Sequence, residues 1–541
     1  MLATMFLVAL GVFIAGYILY GRFMNRVYDL SDERKTPAEA QYDGIDYCPA
    51  HPAVLLGHHF ASIAGAGPIV GPIAAAGLFG WLPVYLWCLV GSVFIGGPHD
   101  LSSIVASLRH QGKSIGEVIT QWIGPRAKFL FLSFTWLSLV LVVGVFLELA
   151  AQTFARDCAV AFSGTLYIGL AVIFGLSRYR FRIPLLSATL VMLPIVLGAV
   201  WYGERAAWVQ EAFTLPVNTW RLLLVVYVFL ASVLPVWLLL QPRDYLASYL
   251  LYFAMIISSI GMVFGSGRFE VSLPAFKAFE SSSGDYLWPI LFVTVACGAV
   301  SGFHSMVASG TTSKQLRRET DARLVGYGSM LIEGLVAVVA LGTVMMAGKV
   351  INNDPMETFG AGFGRFAELV GIDPATGKSL GLLAINSFIL TTLDTATRLG
   401  RYQLQELTNM KLDRFTATAI GVAGSVAVIY VKTGDVPAWK VIWPVFGAAN
   451  QLVAALVLLG LSVWVVKGLK KRATFLMIPM YFMLITTVAA LVLLVKQNIV
   501  NKNYPLIVIG SLLLLMAVML VKESFTALRR TEDTPASDPA R

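Results

Sequence analysis

Residues 57–72 read GHHFASIAGAGPIVGP and lie inside a long apolar stretch of the chain. Pro68 and Pro72 cannot donate a backbone hydrogen bond, and the glycines around them favour non-helical backbone. Inside a bilayer, unwound backbone is tolerated only where protein or a water-filled cavity satisfies it. The stretch therefore predicts an interrupted helix at membrane depth. The alternative is an intact helix whose small residues pack tightly against a neighbour.

A second stretch, residues 297–314, reads CGAVSGFHSMVASGTTSK and has the same character. Both stretches combine glycines, a histidine beside a phenylalanine, and hydroxyl side chains. Four further apolar segments follow each of them, and the topology below makes the two run in opposite directions. Paired broken helices of opposite direction predict an inverted-repeat transporter with its site between them. We expect an all-α polytopic membrane protein with a leucine-transporter-like core of two five-helix repeats and extra helices.

The composition independently places the chain in a membrane. Of its 541 residues, 57% are hydrophobic and 13% are charged, against about 25% charged residues in soluble domains. The net charge of +9 does not indicate nucleic-acid binding, because the basic residues lie between apolar runs, where they orient helices. The sequence contains no P-loop motif, so transport driven by ATP is not expected.

The apolar segments also predict an orientation. We count about 15 of them, of a length suited to a bilayer. Most of the 40 lysines and arginines fall in the odd-numbered loops, which the positive-inside rule assigns to the cytoplasm. The N-terminus is then outside and the C-terminus inside. The first apolar run lacks a basic start and a cleavage site, so we interpret it as a retained helix rather than a signal peptide.

These segments divide the chain into six parts. The first three parts are a first helix with a cytoplasmic loop (1–52), a first repeat interrupted at 57–72 (53–205), and two added helices with an external loop (206–287). The last three are a second repeat interrupted at 297–314 (288–466), two C-terminal helices (467–528), and a disordered cytoplasmic tail (529–541).

Carboxylates inside the apolar segments are candidates for proton coupling. A buried carboxylate is costly unless it is paired or protonated, so each one needs a reason. Glu333 is the first candidate because it lies well inside an apolar segment, and Asp100 is the second. For Asp394 we favour a structural pair with Arg398, four residues later. We interpret Asp244 as the cap of a following helix.

Polar side chains of the two broken stretches and of a later motif, WPVFGAANQL (443–452), are candidates for substrate binding. They are His58, His59, Ser62, Gly65, Gly67, Ser301, His304, Ser305, Asn450 and Gln451. The histidines could instead form a metal site, but no third ligand has suitable spacing. The four cysteines are scattered without metal or redox spacing. We therefore predict no metal, no cofactor and no enzymatic activity.

Several long motifs resemble the carbon starvation protein A family. They include GHHFASIAGAGPIVGP (57–72), QPRDYLASY (241–249), CGAVSGFHSMVASGTTSKQ (297–315), TTLDTATRLGRYQLQE (391–406) and WPVFGAANQLVAAL (443–456). The resemblance implies uptake across a bacterial inner membrane, of peptides in the family's namesake and of pyruvate with protons in a close relative. The sequence PHD at 98–100 departs from the glutamine-aspartate pair usual there, so the resemblance assigns no role to His99.

The function predicted from these observations is secondary active, proton-coupled uptake of peptides during carbon starvation. The alternative is a symporter of protons and pyruvate or another small carboxylate. A nutrient sensor would require a signalling domain, and a channel would not need a buried proton-carrying acid. The expected partners are the substrate, protons and the lipid bilayer, without nucleic acid. The sequence leaves the oligomeric state open.

Overall fold

The computed structural model describes residues 1–43, 47–181, 183–235, 238–430 and 438–529. This part of the chain is helical, with two isolated β-bridges and no strand. The tail predicted for 529–541 lies outside the described residues from 530 onward. The first fourteen helices are α1 (Leu2–Ala15), α2 (Gly21–Tyr28), α3 (Pro37–Ala40), α4 (Pro52–Ala64), α5 (Gly67–Phe79), α6 (Trp81–Gly91), α7 (Gly97–Arg109), α8 (Ile115–Ile123), α9 (Pro125–Arg156), α10 (Cys158–Tyr179), α11 (Leu185–Arg205), α12 (Ala207–Phe213), α13 (Val217–Val233) and α14 (Leu240–Phe264).

The second half of the chain contains nine more helices. They are α15 (Leu287–Thr294), α16 (Gly302–Gly310), α17 (Ser329–Ala347), α18 (Pro355–Glu368), α19 (Pro374–Leu407), α20 (Arg414–Ile429), α21 (Ala438–Lys467), α22 (Thr474–Val500) and α23 (Tyr504–Arg529).

Within the described chain, eleven helical stretches are long and apolar enough to cross a bilayer, or up to thirteen if two sharply bent pairs each count as one span. Every predicted segment has a helical counterpart, but the count of about 15 is not reached. One of the two missing spans corresponds to α20, which is too short by this measure. The other corresponds to α15 and α16, which are separated by a break.

The centre of the molecule is formed by α19 and α21. In the most apolar 18-residue stretch of each of these two long helices, 94% of the residues are buried, whereas in that of α23 only 28% are buried. Their polar residues therefore face other helices and not lipid. The outer helices are exposed and apolar, as expected for a surface in contact with acyl chains.

Three π-helical turns interrupt the helices on one side of the core. They are Gly16–Tyr20 between α1 and α2, Ser92–Gly96 between α6 and α7, and Arg323–Gly328 before α17. The Tyr327 hydroxyl donates to the carbonyl of Val93, 2.9 Å away. A π turn leaves backbone groups out of register, and π turns are frequent at functional sites. The turn at 92–96 directly precedes the residues that form the candidate site.

Candidate functional site

The two stretches singled out in the sequence are both broken and pack against each other. The first breaks between α4 and α5, which are bent by 41°, and the second breaks between α15 and α16. A β-carbon built on Gly71 would lie 2.6 Å from the carbonyl oxygen of Thr294. Gly67 approaches Cys297 even more closely. Only glycine allows backbones to come this near to each other.

One glycine in each break has a positive φ. Gly65, which follows α4, has a φ of +43°, and Gly298, between α15 and α16, has a φ of +84°. This region of backbone space is accessible to glycine without steric cost. The Gly298 N–H is thereby turned toward Glu333 and donates to its Oε1 atom at 3.1 Å.

The amides of Asn450 and Gln451 satisfy the second break. Asn450 Oδ1 accepts from the N–H of Phe303 at 2.8 Å, and its Nδ2 donates to the Ser301 hydroxyl at 2.9 Å. Gln451 Nε2 donates to the carbonyls of Phe292, at 2.5 Å, and Val295, at 3.3 Å. Both residues were predicted to bind substrate. In the structure their side chains hold the backbone at the end of α15 and the start of α16.

Four fully buried side chains, His99, Asp100, His304 and Glu333, form what we call the Asp100 cluster. Nδ1 of His99 lies 2.7 Å from one oxygen of Asp100, and Nδ1 of His304 lies 2.8 Å from the other. On its far side, His304 Nε2 lies 3.3 Å from Glu333 Oε2. The structure thus brings together the two predicted proton-coupling residues and one predicted substrate ligand, from α7, α16 and α17.

The contact between His304 and Glu333 is an ion pair without a hydrogen bond. Neither Nε2 of His304 nor Oε2 of Glu333 has a hydrogen-bond partner among the described residues. Two carboxylates, Asp100 and Glu333, and two imidazoles, those of His99 and His304, thus meet in one buried cluster. Glu333 keeps one oxygen that accepts no hydrogen bond within the described chain, in an interior where an unpaired charge is expensive.

The other predicted ligands lie beside this cluster. His59 Nδ1 is 2.8 Å from the Thr312 hydroxyl, and its Nε2 atom has no hydrogen-bond partner within the described chain. The Ser62 hydroxyl is buried and is likewise without a partner there. Ser305 donates to the carbonyl of Gly302 in its own helix, at 2.7 Å. His59 and Ser62 thus retain polar atoms that a bound molecule could use.

Asp394 pairs with Arg243 of α14 and not with Arg398, so the predicted i, i+4 pair is wrong. Arg243 Nη1 contacts Asp394 Oδ2, and the hydroxyl of Tyr227 donates to the same oxygen at 2.7 Å. Arg398 instead donates to the carbonyl of Ala231 at 2.8 Å, near the end of α13. The reason is burial: a fully buried guanidinium such as that of Arg243 requires a carboxylate, whereas Arg398 reaches unpaired helix-end carbonyls.

Asp244 is not a helix cap either, because it lies within α14. Its Oδ1 atom is 3.1 Å from Arg243 Nη2, and its Oδ2 atom is 3.1 Å from His58 Nδ1. We call His58, Tyr227, Arg243, Asp244 and Asp394 the Arg243 cluster. The adjacent histidines, predicted to act together, thus point to different places: His58 to the Arg243 cluster and His59 toward Thr312.

One set of potential metal ligands lies within the part of the chain that the structure describes. Donor atoms of Cys297, His304 and Glu333 lie within 4.8 Å of one another. Sequence spacing missed this set because its members come from different elements. Two of its three members, His304 and Glu333, also form the contact of the Asp100 cluster.

Two cavities lie along the second broken segment, on either side of its break. The first, which we call the lysine cavity, has a volume of about 390 Å³. Its lining includes residues of both broken segments and three lysines: Val70, Ala74, Ile290, Thr294, Lys277, Lys349 and Lys440. The second, which we call the Ser309 cavity, has a volume of about 190 Å³ and is lined by residues that include Tyr47, Ser309, Gly310 and Glu406. The break and the Asp100 cluster lie between these regions.

Sequence reasoning missed the roles of Arg243, Tyr227 and His99. Arg243 is next to Asp244 in the sequence, and an arginine inside a long apolar segment could have signalled a buried ion pair. Nothing local to Tyr227 marks it as the partner of a carboxylate on another helix. His99 could have been noticed as a histidine adjacent to a candidate proton carrier.

Comparison with known proteins identifies a family and several relatives that the chain resembles. A family model described as carbon starvation protein CstA matches residues 1–351 and 343–490. The peptide transporter CstA of Bacillus subtilis is 32% identical, over 89% of this chain and 89% of the relative. The peptide transporter CstA of Campylobacter jejuni is 31% identical, over 88% and 78%. The pyruvate/proton symporter BtsT of Escherichia coli is 32% identical, over 89% and 80%.

Solved structures with a related arrangement share little sequence with the chain. A manganese transporter of Eremococcus coleocola is 12% identical, with a TM-score of 0.45 over 88% of this chain and 96% of that one. MhsT in complex with L-phenylalanine is 14% identical, with a TM-score of 0.45 over 88% and 99%.

Proposed function

The chain belongs to the carbon starvation protein CstA family, and we propose that it is a secondary active transporter that takes up peptides together with protons. Its relatives carry the names of peptide transporters and of a pyruvate/proton symporter. The proposal places the chain in the bacterial inner membrane, with its N-terminus outside and its C-terminus in the cytoplasm. In this role it catalyses no reaction and needs no cofactor.

The observation that carries the proposal is the contact between Glu333 and His304 in the Asp100 cluster, which lacks a hydrogen bond. Glu333 Oε2 lies next to a histidine nitrogen, yet it accepts no hydrogen bond from any described residue. The same carboxylate holds the Gly298 N–H of the broken segment through its other oxygen. Protonation of Glu333 would weaken that bond, because a carboxylate is the stronger acceptor. Proton binding is thereby linked to the backbone that separates the two cavities.

The lysine cavity is the proposed entrance for the substrate. The substrates named for the relatives carry a carboxylate, and three lysines line the cavity. Its volume of about 390 Å³ falls within the usual range for small-molecule sites. From there a substrate would meet the broken segments, where His58, His59, Ser62, Gly65, Gly67, Ser301 and Ser305 are the proposed contacts. Release would occur through the Ser309 cavity.

Uptake of pyruvate with protons is the second candidate function. The relative BtsT is as similar in sequence as the peptide transporters are. Pyruvate and the C-terminus of a peptide both present a carboxylate, so the lysines suit either one. The volume of the lysine cavity favours the larger molecule.

The proposal is tested with purified protein in proteoliposomes. Uptake of a labelled tripeptide and of labelled pyruvate is measured with and without an inwardly directed proton gradient. We expect one of the two to accumulate only when the gradient is present. Accumulation of neither would overturn the proposal. Saturable binding without flux would indicate a sensor, and flux that never concentrates the substrate would indicate a channel.

Glu333→Gln tests the proposed proton carrier. We expect this variant to show a lower gradient-driven accumulation ratio but to retain exchange of labelled for unlabelled substrate, because exchange requires no net proton movement. Glu148→Gln is the matched control, since Glu148 is equally buried but is held by two hydrogen bonds from Arg221, at 2.7 and 2.6 Å. Normal coupling in Glu333→Gln would remove Glu333 from the mechanism.

A further inference from the structure

The Arg243 cluster is a second buried group of charges, of which the proposed mechanism uses only His58, as a substrate contact. It joins four helices: His58 comes from α4, Tyr227 from α13, Arg243 and Asp244 from α14, and Asp394 from α19. Arg243, Asp244 and Asp394 are almost completely inaccessible, with side-chain exposures of 0%, 1% and 0%. A network this deeply buried must balance its charges internally.

The charges of the arginine and the two aspartates in this cluster do not cancel. The guanidinium of Arg243 supplies one positive charge, whereas Asp244 and Asp394 supply two negative ones. Asp394 receives the stronger interactions, from Arg243 Nη1 and from the Tyr227 hydroxyl at 2.7 Å. Each carboxylate keeps one oxygen that accepts no hydrogen bond within the described chain, Oδ2 of Asp244 and Oδ1 of Asp394. The other oxygen of Asp244 accepts only from Arg243 Nη2, at 3.1 Å, so we assign the unbalanced charge to Asp244.

His58 is positioned to supply the missing positive charge. Its Nδ1 atom lies 3.1 Å from Asp244 Oδ2, and the two atoms are not aligned for a hydrogen bond. The side chain of His58 is 13% exposed, whereas that of Asp244 is 1% exposed. Both ring nitrogens of His58 are themselves buried, and neither has a hydrogen-bond partner within the described chain.

The same arrangement occurs in the Asp100 cluster. There Asp100 is held by two histidines, while Glu333 Oε2 lies 3.3 Å from His304 Nε2 without a hydrogen bond. In each cluster a carboxylate oxygen faces a histidine nitrogen with no hydrogen bond formed. His58 and His59 are consecutive in α4, so a single helix that ends at the first break contacts both regions.

We infer that the Arg243 cluster is a second proton-binding site coupled to transport, with His58 as the group that takes up the proton. Hydronium on one side gives its proton to an imidazole nitrogen of His58, so that an O–H bond breaks and an N–H bond forms. After the substrate has moved, the N–H bond breaks and the proton returns to water on the opposite side. The inference rests on the proposed function, because it adds a second proton to a carrier that already moves one.

The groups around His58 support this role. Asp244 and Arg243 face it from α14, and Asp394 lies behind Arg243 on α19. His59 is its neighbour on α4. The Tyr252 hydroxyl lies close to Gly57, 3.2 Å from where a β-carbon would stand. Among these groups only Arg243 carries a permanent positive charge, and it is already engaged by Asp394.

The test is the number of protons moved with each substrate. In proteoliposomes, the steady accumulation ratio of the transported substrate is measured against the imposed pH difference under voltage clamp by potassium and valinomycin. One coupled proton allows about a tenfold ratio for each pH unit, and two allow about a hundredfold ratio. We expect about a hundredfold ratio for the natural protein and about a tenfold ratio for His58→Gln.

Two further variants distinguish the loss of a coupled proton from a general structural effect. Asp244→Asn leaves Arg243 paired with Asp394 and should also give about a tenfold ratio for each pH unit. His51→Gln, at an exposed histidine outside both clusters, should keep the ratio of the natural protein. A tenfold ratio in the natural protein overturns the inference, and so does an unchanged ratio in His58→Gln. Absence of any gradient-driven accumulation would instead overturn the proposed function.

Discussion

At the scale of single residues, Gly298 makes a specific prediction about stability. Its φ of +84° is costly for any other residue, and a β-carbon would lie 2.8 Å from that of Ala337 and 3.4 Å from Pro68. Gly298→Ala should destabilise the protein by about 3 kcal/mol, as the sum of backbone strain and overpacking. The measurement is thermal unfolding of the detergent-solubilised protein, followed by tryptophan fluorescence.

Gly284 offers a matched control for this prediction. Its φ is +81°, almost the same, but it lies in an open loop and a β-carbon there would have nothing within 4 Å. Gly284→Ala should therefore cost only the backbone strain, about 1 kcal/mol. Equal losses in the two variants would show that the contact between Gly298 and Ala337 is not tight.

Sequence reasoning singled out individual residues where a charge inside an apolar segment marks them. Glu333 and Asp100 stood out because a carboxylate inside an apolar segment needs an explanation, and both lie in one cluster. The partner of Asp394 was predicted wrongly, because the i, i+4 rule considers only residues of the same helix. Its actual partner, Arg243, is brought close by the packing of α14 against α19, which no local pattern records.

At the scale of elements, the contact between Arg243 and Asp394 ties α14 to α19. Removing one partner of a buried pair leaves the other charge uncompensated, at a cost of about 3 to 5 kcal/mol. Arg243→Gln should therefore be strongly destabilising, and adding Asp394→Asn should recover part of the loss. Thermal unfolding of the single and double variants provides the measurement.

Arg398→Gln is the control that separates the two possible partners of Asp394. Arg398 bonds to backbone carbonyls, at 2.8 Å from Ala231 and 2.6 Å from Leu234, so its removal should cost about 1 to 3 kcal/mol. Adding Asp394→Asn should give no recovery in this background. Recovery there, and none in Arg243→Gln, would reverse the assignment of the pair.

The broken helices were predictable as elements because their cause is local. Proline removes a backbone donor in 57–72, and glycine relaxes the backbone in both 57–72 and 297–314, so these effects can be read from the sequence. What satisfies the breaks was not predictable. The amides of Asn450 and Gln451 come from α21, and sequence alone suggested a substrate as their partner. An unpaired amide in an apolar run indicates that a partner exists but does not identify it.

At the scale of the whole molecule, the proposed direction of transport depends on the orientation in the membrane. The loop that contains Lys277 and Asp285 lines the lysine cavity, whereas Tyr47 lines the Ser309 cavity. The positive-inside rule assigns the first loop to the outside and the second to the cytoplasm. The two cavities should therefore open toward opposite sides of the membrane.

Labelling of single cysteines in intact cells tests this arrangement. Cys48, next to Tyr47, should react with a membrane-impermeant maleimide only after the cells are permeabilised. In a Cys48→Ser, Cys158→Ser background, Ser282→Cys in the exposed loop near Asp285 should react from outside without permeabilisation. The buried residues Cys88 and Cys297 can remain as unreactive internal controls. If the pattern were reversed, the lysine cavity would face the cytoplasm, and the lysines would then attract substrate for export and not for uptake.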